Sequence, residues 1–168
     1  MLQTNPALLI IDMQEWFFKA EYQRASLPTL LDSINKLADF FHASHLPVVH
    51  VLTVHEPNTN TRDAEESRGT HRWQEDIVIF STEPGAFTRT GLEDRLWELD
   101  VNTVVLAGFS VDDSVGLTAI EAYERDFMPI LAGEAISGLE QDMLRKLESG
   151  YGIVPVSNER VKEILGEK

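Results

Sequence analysis

A carboxylate closes the first apolar run of this chain: Ala7-Leu-Leu-Ile-Ile11 is followed directly by Asp12. Such a charge must emerge into a polar crevice or find hydrogen-bonding partners, because burying it alone is costly. In a crevice it is a candidate general acid or base whose pKa is set by its surroundings. Its structural alternative is a cap for the following Met13-Gln14-Glu15 turn. A second polar cluster, Ser110, Asp112, Asp113 and Ser114, follows the run Thr103-Val-Val-Leu-Ala107 and opens an amphipathic segment. Backbone N–H groups at the start of a helix there suit an oxyanion, while Ser and Asp before a helix are also ordinary N-caps. Ser81 stands at the end of a third run, Ile77-Val-Ile-Phe80.

The chain has no cysteine. Disulfides, thiolate metal sites and thiol nucleophiles are thereby removed, and covalent catalysis must use Ser, Thr, Lys or a carboxylate. The histidines at 42, 45, 50, 55 and 71 form no H-x-x-x-H or H-x-H pair, so no metal is expected and no cofactor is called for. His42 and His45 are expected at the surface near a helix end, and His50 as a satisfied core residue within a strand. Trp16-Phe17-Phe18 suits a pocket lining, a core or a subunit contact.

Composition narrows the classes further. A formal charge of −14 argues against a nucleic-acid partner, which needs clustered Lys and Arg, and disfavours a multiply anionic ligand. No apolar run reaches the roughly 20 residues that span a bilayer, so no membrane partner is expected. The segment Met1 to Pro6 has no basic stretch, and Asp12 breaks the apolar run after it. This reads as no signal peptide and a cytoplasmic protein.

These residues need elements to position them. Apolar runs Ala7–Ile11, Pro47–Val54, Ile77–Phe80, Thr103–Ala107, Met128–Leu131 and Gly152–Val156 read as strands, the last at a sheet edge because of its proline. Helical spacing links Leu30, Ile34, Leu37 and Phe41, then Leu92, Leu96 and Leu99, then Val115, Ala119, Ala122 and Tyr123, then Leu139, Met143 and Leu147. Residues 157 to 166 read as a last helix capped by Ser157. The alternation predicts one α/β domain over residues 1–168: a three-layer α/β/α sandwich with a mostly parallel, Rossmann-like sheet of about six strands. Ligands of such sheets gather beyond the carboxyl ends of the strands, where Asp12, Ser81 and Ser110 to Ser114 all fall. Glu56 to Gln74 lacks periodicity and reads as a long loop, a candidate lid or contact surface.

Three segments together resemble the isochorismatase-like hydrolase family, which includes cysteine hydrolases such as nicotinamidases and N-carbamoyl amidases. ALLIIDMQEWF is similar to its first strand, with Asp12 and Gln14 as an Asp-x-Gln signature. PGAFTRTGLEDRLWELDVNTVVLAG is similar to its segment leading into the fourth strand. GFSVDDSVGLTAIEAYERDF matches its Gly-x-x-Thr-x-x-Cys-Val-x-x-Thr-Ala element, with Gly108, Asp112, Val115, Thr118, Ala119 and Ala122 in register. The resemblance implies that Asp12 is the catalytic Asp, that Ser81 occupies the lysine position and Ser114 the cysteine position. It implies backbone oxyanion donors at Ser110 and Ser114 and a cis peptide at Phe109–Ser110. It places Phe109, Gln14, Phe17 and Phe87 at a small-molecule ligand, and it implies a homo-oligomer.

Losing the thiol and the lysine has a chemical consequence. A thiol of pKa about 8.5 is partly ionised near neutrality, whereas an alcohol is far less acidic and a carboxylate is a poor base for it. Two readings follow. One is a hydrolase of an amide C–N or vinyl-ether bond that works through Asp12 as acid or base. The other is a catalytically inactive relative that keeps the fold for small-molecule binding or assembly.

Overall fold

The computed structural model describes residues 4–54, 69–138 and 141–166. Its strands are β1 (Pro6–Ile11), β2 (Val48–Thr53), β3 (Ile77–Ser81), β4 (Thr103–Gly108), β5 (Met128–Ile136) and β6 (Pro155–Val156). Its α-helices are α1 (Glu21–Ala43), α2 (Leu92–Glu98), α3 (Ser114–Glu124), α4 (Gln141–Tyr151) and α5 (Asn158–Leu165). The strands form one sheet in the order β3-β2-β1-β4-β5-β6, every pairing parallel. The expected α/β architecture is present.

Strand periodicity divides the core into two halves. Ala7, Leu9 and Ile11 of β1 point to one face and join Leu96, Val115, Ala119 and Leu147 from α2, α3 and α4. Leu8 and Ile10 point to the other and join Ile34, Leu37 and Phe41 of α1 and Val161 of α5. Each buried Leu, Ile or Phe contributes about 1.5–3 kcal/mol relative to exposure, so both faces of β1 must be covered. That explains its uninterrupted apolar run.

Three elements depart from their sequence expectations. Helix α1 begins at Glu21 and continues through Pro28, although a proline inside a helix costs about 3 kcal/mol. The buried stripe Leu30, Ile34, Leu37, Phe41 offsets that cost. Strand β5 runs past Leu131 to Ile136, with a register shift opposite Leu106 and Gly108; Gly133 and Glu134 interrupt its apolar pattern and hide its second half. Strand β6 is only Pro155–Val156, because α4 extends to Tyr151 and Gly152 turns the chain at φ 69°.

His42 corrects the surface expectation. It is buried, its Nε2 lies 2.8 Å from Asp76 Oδ1, and its ring stacks on Trp73 at 4.1 Å. His50, expected in the core, shares the same carboxylate at 3.2 Å. Most of the candidate lid, Glu56 to Gln74, lies outside the described residues. Its end is tied to α1, where Asn35 donates to Gly69 O at 2.7 Å and accepts from His71 N–H at 2.9 Å.

Candidate active site

Sequence order reverses direction in the sheet between β1 and β4, because β2 and β3 lie to one side and β5 and β6 to the other. Connections leaving the carboxyl ends of β1 and β4 therefore part in opposite directions and open a crevice between them. Asp12 leaves β1 at this point, and the Gly108–Ser114 turn leaves β4.

Backbone hydrogen bonds fasten the two together. Asp12 N–H donates to Val51 O at 2.9 Å, Phe109 N–H to Ile11 O at 2.9 Å, and Ser137 N–H to Gly108 O at 2.9 Å. Asp12 itself sits at φ 52°, a left-handed conformation that Asp tolerates better than most residues. The Phe109–Ser110 peptide is cis, as the resemblance implied. Beyond it the turn closes on the Ser110 carbonyl, which accepts from Asp113 N–H at 3.3 Å and Val115 N–H at 3.0 Å.

The Asp12 carboxylate is 1 % exposed and fully engaged. Oδ1 accepts the Thr53 hydroxyl at 2.7 Å and the Thr53 N–H at 3.1 Å, and Oδ2 accepts the Ser114 hydroxyl at 2.5 Å. Burial nevertheless dominates and pushes its pKa up from 3.8 to about 6; the Ser114 and Thr53 bonds pull it back, and the Asp113 charge adds to the rise. Among the described residues no cation is in the set of groups that act on it. A carboxyl in this state holds its proton in a useful fraction of molecules near neutrality.

The other expected residues divide. Ser114, at the first turn of α3, is brought to Asp12. Gln14 is buried, and its amide grips the backbone of Thr53 from both sides: Nε2 donates to Thr53 O at 3.0 Å and Oε1 accepts Thr53 N–H at 2.8 Å. Gln14 thus positions the residue that positions Asp12. Ser81 is buried too, but its hydroxyl donates to Glu83 O at 2.7 Å and accepts Glu83 N–H at 3.1 Å, turning the chain after β3. Phe87 packs on Phe127 in the core, with ring centroids 5.6 Å apart. Phe17 lies 5.4 Å from Phe109, and Phe18 joins them at 5.1 Å. Phe109 and Ser110, with Tyr22, Glu134 and Ser137, line a cleft of about 590 Å³ on the α1 side of the turn. Asp12, Ser81 and Ser114 are not in its wall.

Two groups of residues escaped the sequence reading. Thr53 ends β2 with nothing but its strand-end position to mark it. Thr118 and Glu121 on α3 hold the loop after β3: Ala86 N–H donates to Thr118 Oγ1 at 3.1 Å, Phe87 N–H to Glu121 Oε2 at 2.9 Å, and the Thr88 hydroxyl to Glu121 Oε1. Glu121→Ala is expected to cost about 1–3 kcal/mol in urea unfolding, because it strips a buried N–H and a hydroxyl of their acceptor. Among the described residues no three His, Asp or Glu side chains gather to hold a metal ion, and no helix is long and apolar enough to cross a membrane.

Comparison with known proteins agrees with this architecture. The family model described as the isochorismatase domain matches residues 6–150. A secreted isochorismatase effector from Verticillium dahliae is 26% identical over 139 residues, covering 79% of this chain and 72% of that protein. An uncharacterized isochorismatase family protein from Escherichia coli O157:H7 is 30% identical over 157 residues, covering 82% and 84%. Among solved structures, N-carbamoylsarcosine amidase from Thermoplasma acidophilum superposes with a TM-score of 0.81 at 23% identity, covering 92% of this chain and 96% of that one. The family match spans most of the chain and includes β1, the turn after β4 and α3: the chain belongs to the isochorismatase family.

Proposed function

We propose that this protein hydrolyses a small molecule by acid catalysis from Asp12, and that the bond cleaved is of the vinyl-ether class. The observation that carries this reading is the buried Asp12 carboxyl with a pKa of about 6. Among the relatives, one is named an isochorismatase and another an amidase. Amide cleavage by a covalent route needs an activated nucleophile. Among the described residues the candidate beside Asp12 is the Ser114 hydroxyl, with no cation to favour its anion. Acid catalysis has no such requirement.

In this mechanism the Asp12 carboxyl delivers its proton to the terminal carbon of the vinyl group, leaving an oxocarbenium ion at the ether carbon. Water adds there and returns a proton to the Asp12 carboxylate. The hemiketal then collapses, the C–O bond breaks, and a carbonyl compound and an alcohol leave. Ser114 and Thr53 hold the carboxyl in place through their hydrogen bonds to it, and the carboxylate left after proton transfer lies beside the positive charge of the oxocarbenium ion. The reading keeps the protein in the cytoplasm with a small molecule as its ligand.

Ser114→Ala separates this mechanism from a serine nucleophile. The Ser114 hydrogen bond lowers the Asp12 pKa, so its removal should move the pKa further up. The expected result on a panel of vinyl ethers and amides is retained turnover, within about tenfold of wild type, with the alkaline fall in rate shifted to higher pH. Complete loss of activity in a folded Ser114→Ala variant would assign Ser114 a covalent role instead. A second reading is an inactive family member that binds its ligand without cleaving it. It is favoured by the closure of the Ser81 hydroxyl on its own turn and of the Ser114 hydroxyl on Asp12. Absence of turnover on the whole panel, with ligand binding retained, selects it.

A further inference from the structure

Helices α3 and α4 end in the same way at the same pole of the sheet. After α3 the chain turns at Asp126, φ 63°, where Asp126 N–H donates to Tyr123 O at 3.2 Å and Phe127 N–H to Ala122 O at 3.0 Å. After α4 it turns at Gly152, φ 69°, where Gly152 N–H donates to Glu148 O at 2.9 Å and Ile153 N–H to Leu147 O at 3.1 Å. A left-handed residue past a helix reverses the chain and satisfies carbonyls of the last turn. Each reversal folds an apolar residue, Phe127 or Ile153, into the core. Both also bring the last aromatic residues of the two helices together: the Tyr123 and Tyr151 rings lie 5.4 Å apart at 78°.

Beside this pair is a cavity of about 860 Å³. Thr103 and Met128, which open β4 and β5, are in its wall, so it lies at the opposite end of the parallel sheet from Asp12. Phe127, Ile130 and Ile153 give it a buried apolar lining, and Tyr123, Met128 and Val154 stand half-exposed around it. Trp97, also half-exposed, packs on Phe127 at 4.8 Å. Single exposed apolar side chains need no explanation, but several gathered at one cavity mark a place where an apolar group binds.

Charge narrows the kind of ligand. Asp126 brings a carboxylate to the wall, which among the described residues carries no Lys, Arg or His. The two tyrosine rings stand nearly at right angles, so a cation in the corner between them meets the negative face of a ring. A formal charge of −14 on the chain draws cations and repels anions. We infer that this cavity binds an amphiphilic organic cation. Its apolar body lies against Phe127, Ile130 and Ile153, and its ammonium group sits at the rim between Asp126 and the rings of Tyr123 and Tyr151. The site shares no residue with the one at Asp12 and does not depend on its chemistry.

Three probes with one apolar body and different heads provide the test: phenylbutylamine, phenylbutanol and phenylbutyrate, titrated calorimetrically into the intact chain at neutral pH. Cation–π contacts and exposed ion pairs each strengthen binding a few-fold, so the amine should bind about tenfold more tightly than the alcohol. The acid should bind more weakly than either. Asp126→Asn keeps a residue that tolerates positive φ. It should weaken the amine about threefold and leave the alcohol unchanged. Tyr123→Leu keeps apolar bulk, removes a ring face and should act in the same way. Asp142→Asn takes one charge from an exposed position on α4 and should change neither, which separates this site from general attraction to an acidic surface. Val154→Arg, at a half-exposed position of the wall, should abolish the preference for the amine. Amide shifts on adding the amine should centre on Asp126, Gly152 and Val154. Equal binding of amine and alcohol, binding of none of the three, or full amine affinity in folded Asp126→Asn overturns the inference. So do shifts centred elsewhere, or an equal loss of amine affinity in Asp142→Asn. If Tyr123→Leu does not fold, Asp126→Asn and Val154→Arg carry the decision.

Discussion

Asp12→Asn is expected to lower kcat/KM by about 10²–10⁴-fold, the usual contribution of a general acid, and at the same time to stabilise the fold. The two effects share one cause. Burial raises the Asp12 pKa from 3.8 to about 6, so the folded state binds its proton more tightly than the unfolded chain does. Stability from this group therefore falls as pH rises from about 3.8 to about 6, and the loss is complete above that window. A shift of this size corresponds to about 3 kcal/mol at neutral pH. Asparagine carries no charge to desolvate. Its oxygen still accepts from Thr53, and its amide meets Ser114, whose hydroxyl can turn to accept. Urea unfolding at pH 7.5 should show the variant more stable by on the order of 2 kcal/mol, with the advantage gone at pH 4. The wild-type rate should fall about tenfold per unit above pH 6, whereas residual activity of the variant should lack that limb. A variant equal to wild type in rate sinks the acid mechanism. One less stable at pH 7.5 contradicts the burial argument.

Gly108→Ala should be the most damaging single-methyl change in the described chain. Gly108 adopts φ 120°, and a Cβ there would lie 2.0 Å from Ile11 O and 2.7 Å from Ile11 N. These are backbone atoms of the strand it pairs with, so no rotamer change gives relief. To make room, β1 and β4 must separate at the point where Asp12 and the Phe109–Ser110 turn leave the sheet. The expected loss is about 4 kcal/mol or more, seen as a collapse of the unfolding midpoint or as failure to accumulate soluble protein. Gly150→Ala is the matched control. Gly150 lies in α4, where an added methyl would meet nothing within 4 Å, and alanine should stabilise it by about 0.5–1 kcal/mol. Equal behaviour of the two variants would refute the close-approach argument.

Asp12 and Ser114 were legible in the sequence as residue types at strand ends, because a charge closing an apolar run needs a polar exit. That they meet was not, since they are 102 residues apart and their 2.5 Å contact depends on β1 lying beside β4. Ser81 shows the limit from the other direction. It falls where the resemblance places a lysine, yet its short hydroxyl reaches only its own turn. Thr53 and Glu121 carried no signal, because a threonine ending a strand or a glutamate on a helix is ordinary until a buried partner stands opposite. His42 misled for the same reason: its helix-end position suggests solvent, and Asp76 and Trp73 close over it.

Local chemistry is written in the chain itself. Apolar runs, helical spacing, the missing cysteine and the order of the signature segments determined the α/β class, the family likeness and the acid that remains. Strand order, the left-handed φ at Asp12 and the burial that lifts its pKa belong to the tertiary structure alone. Each depends on what packs against a residue from a distant part of the chain, and desolvation and hydrogen-bond pairing exist only once that neighbour is in place.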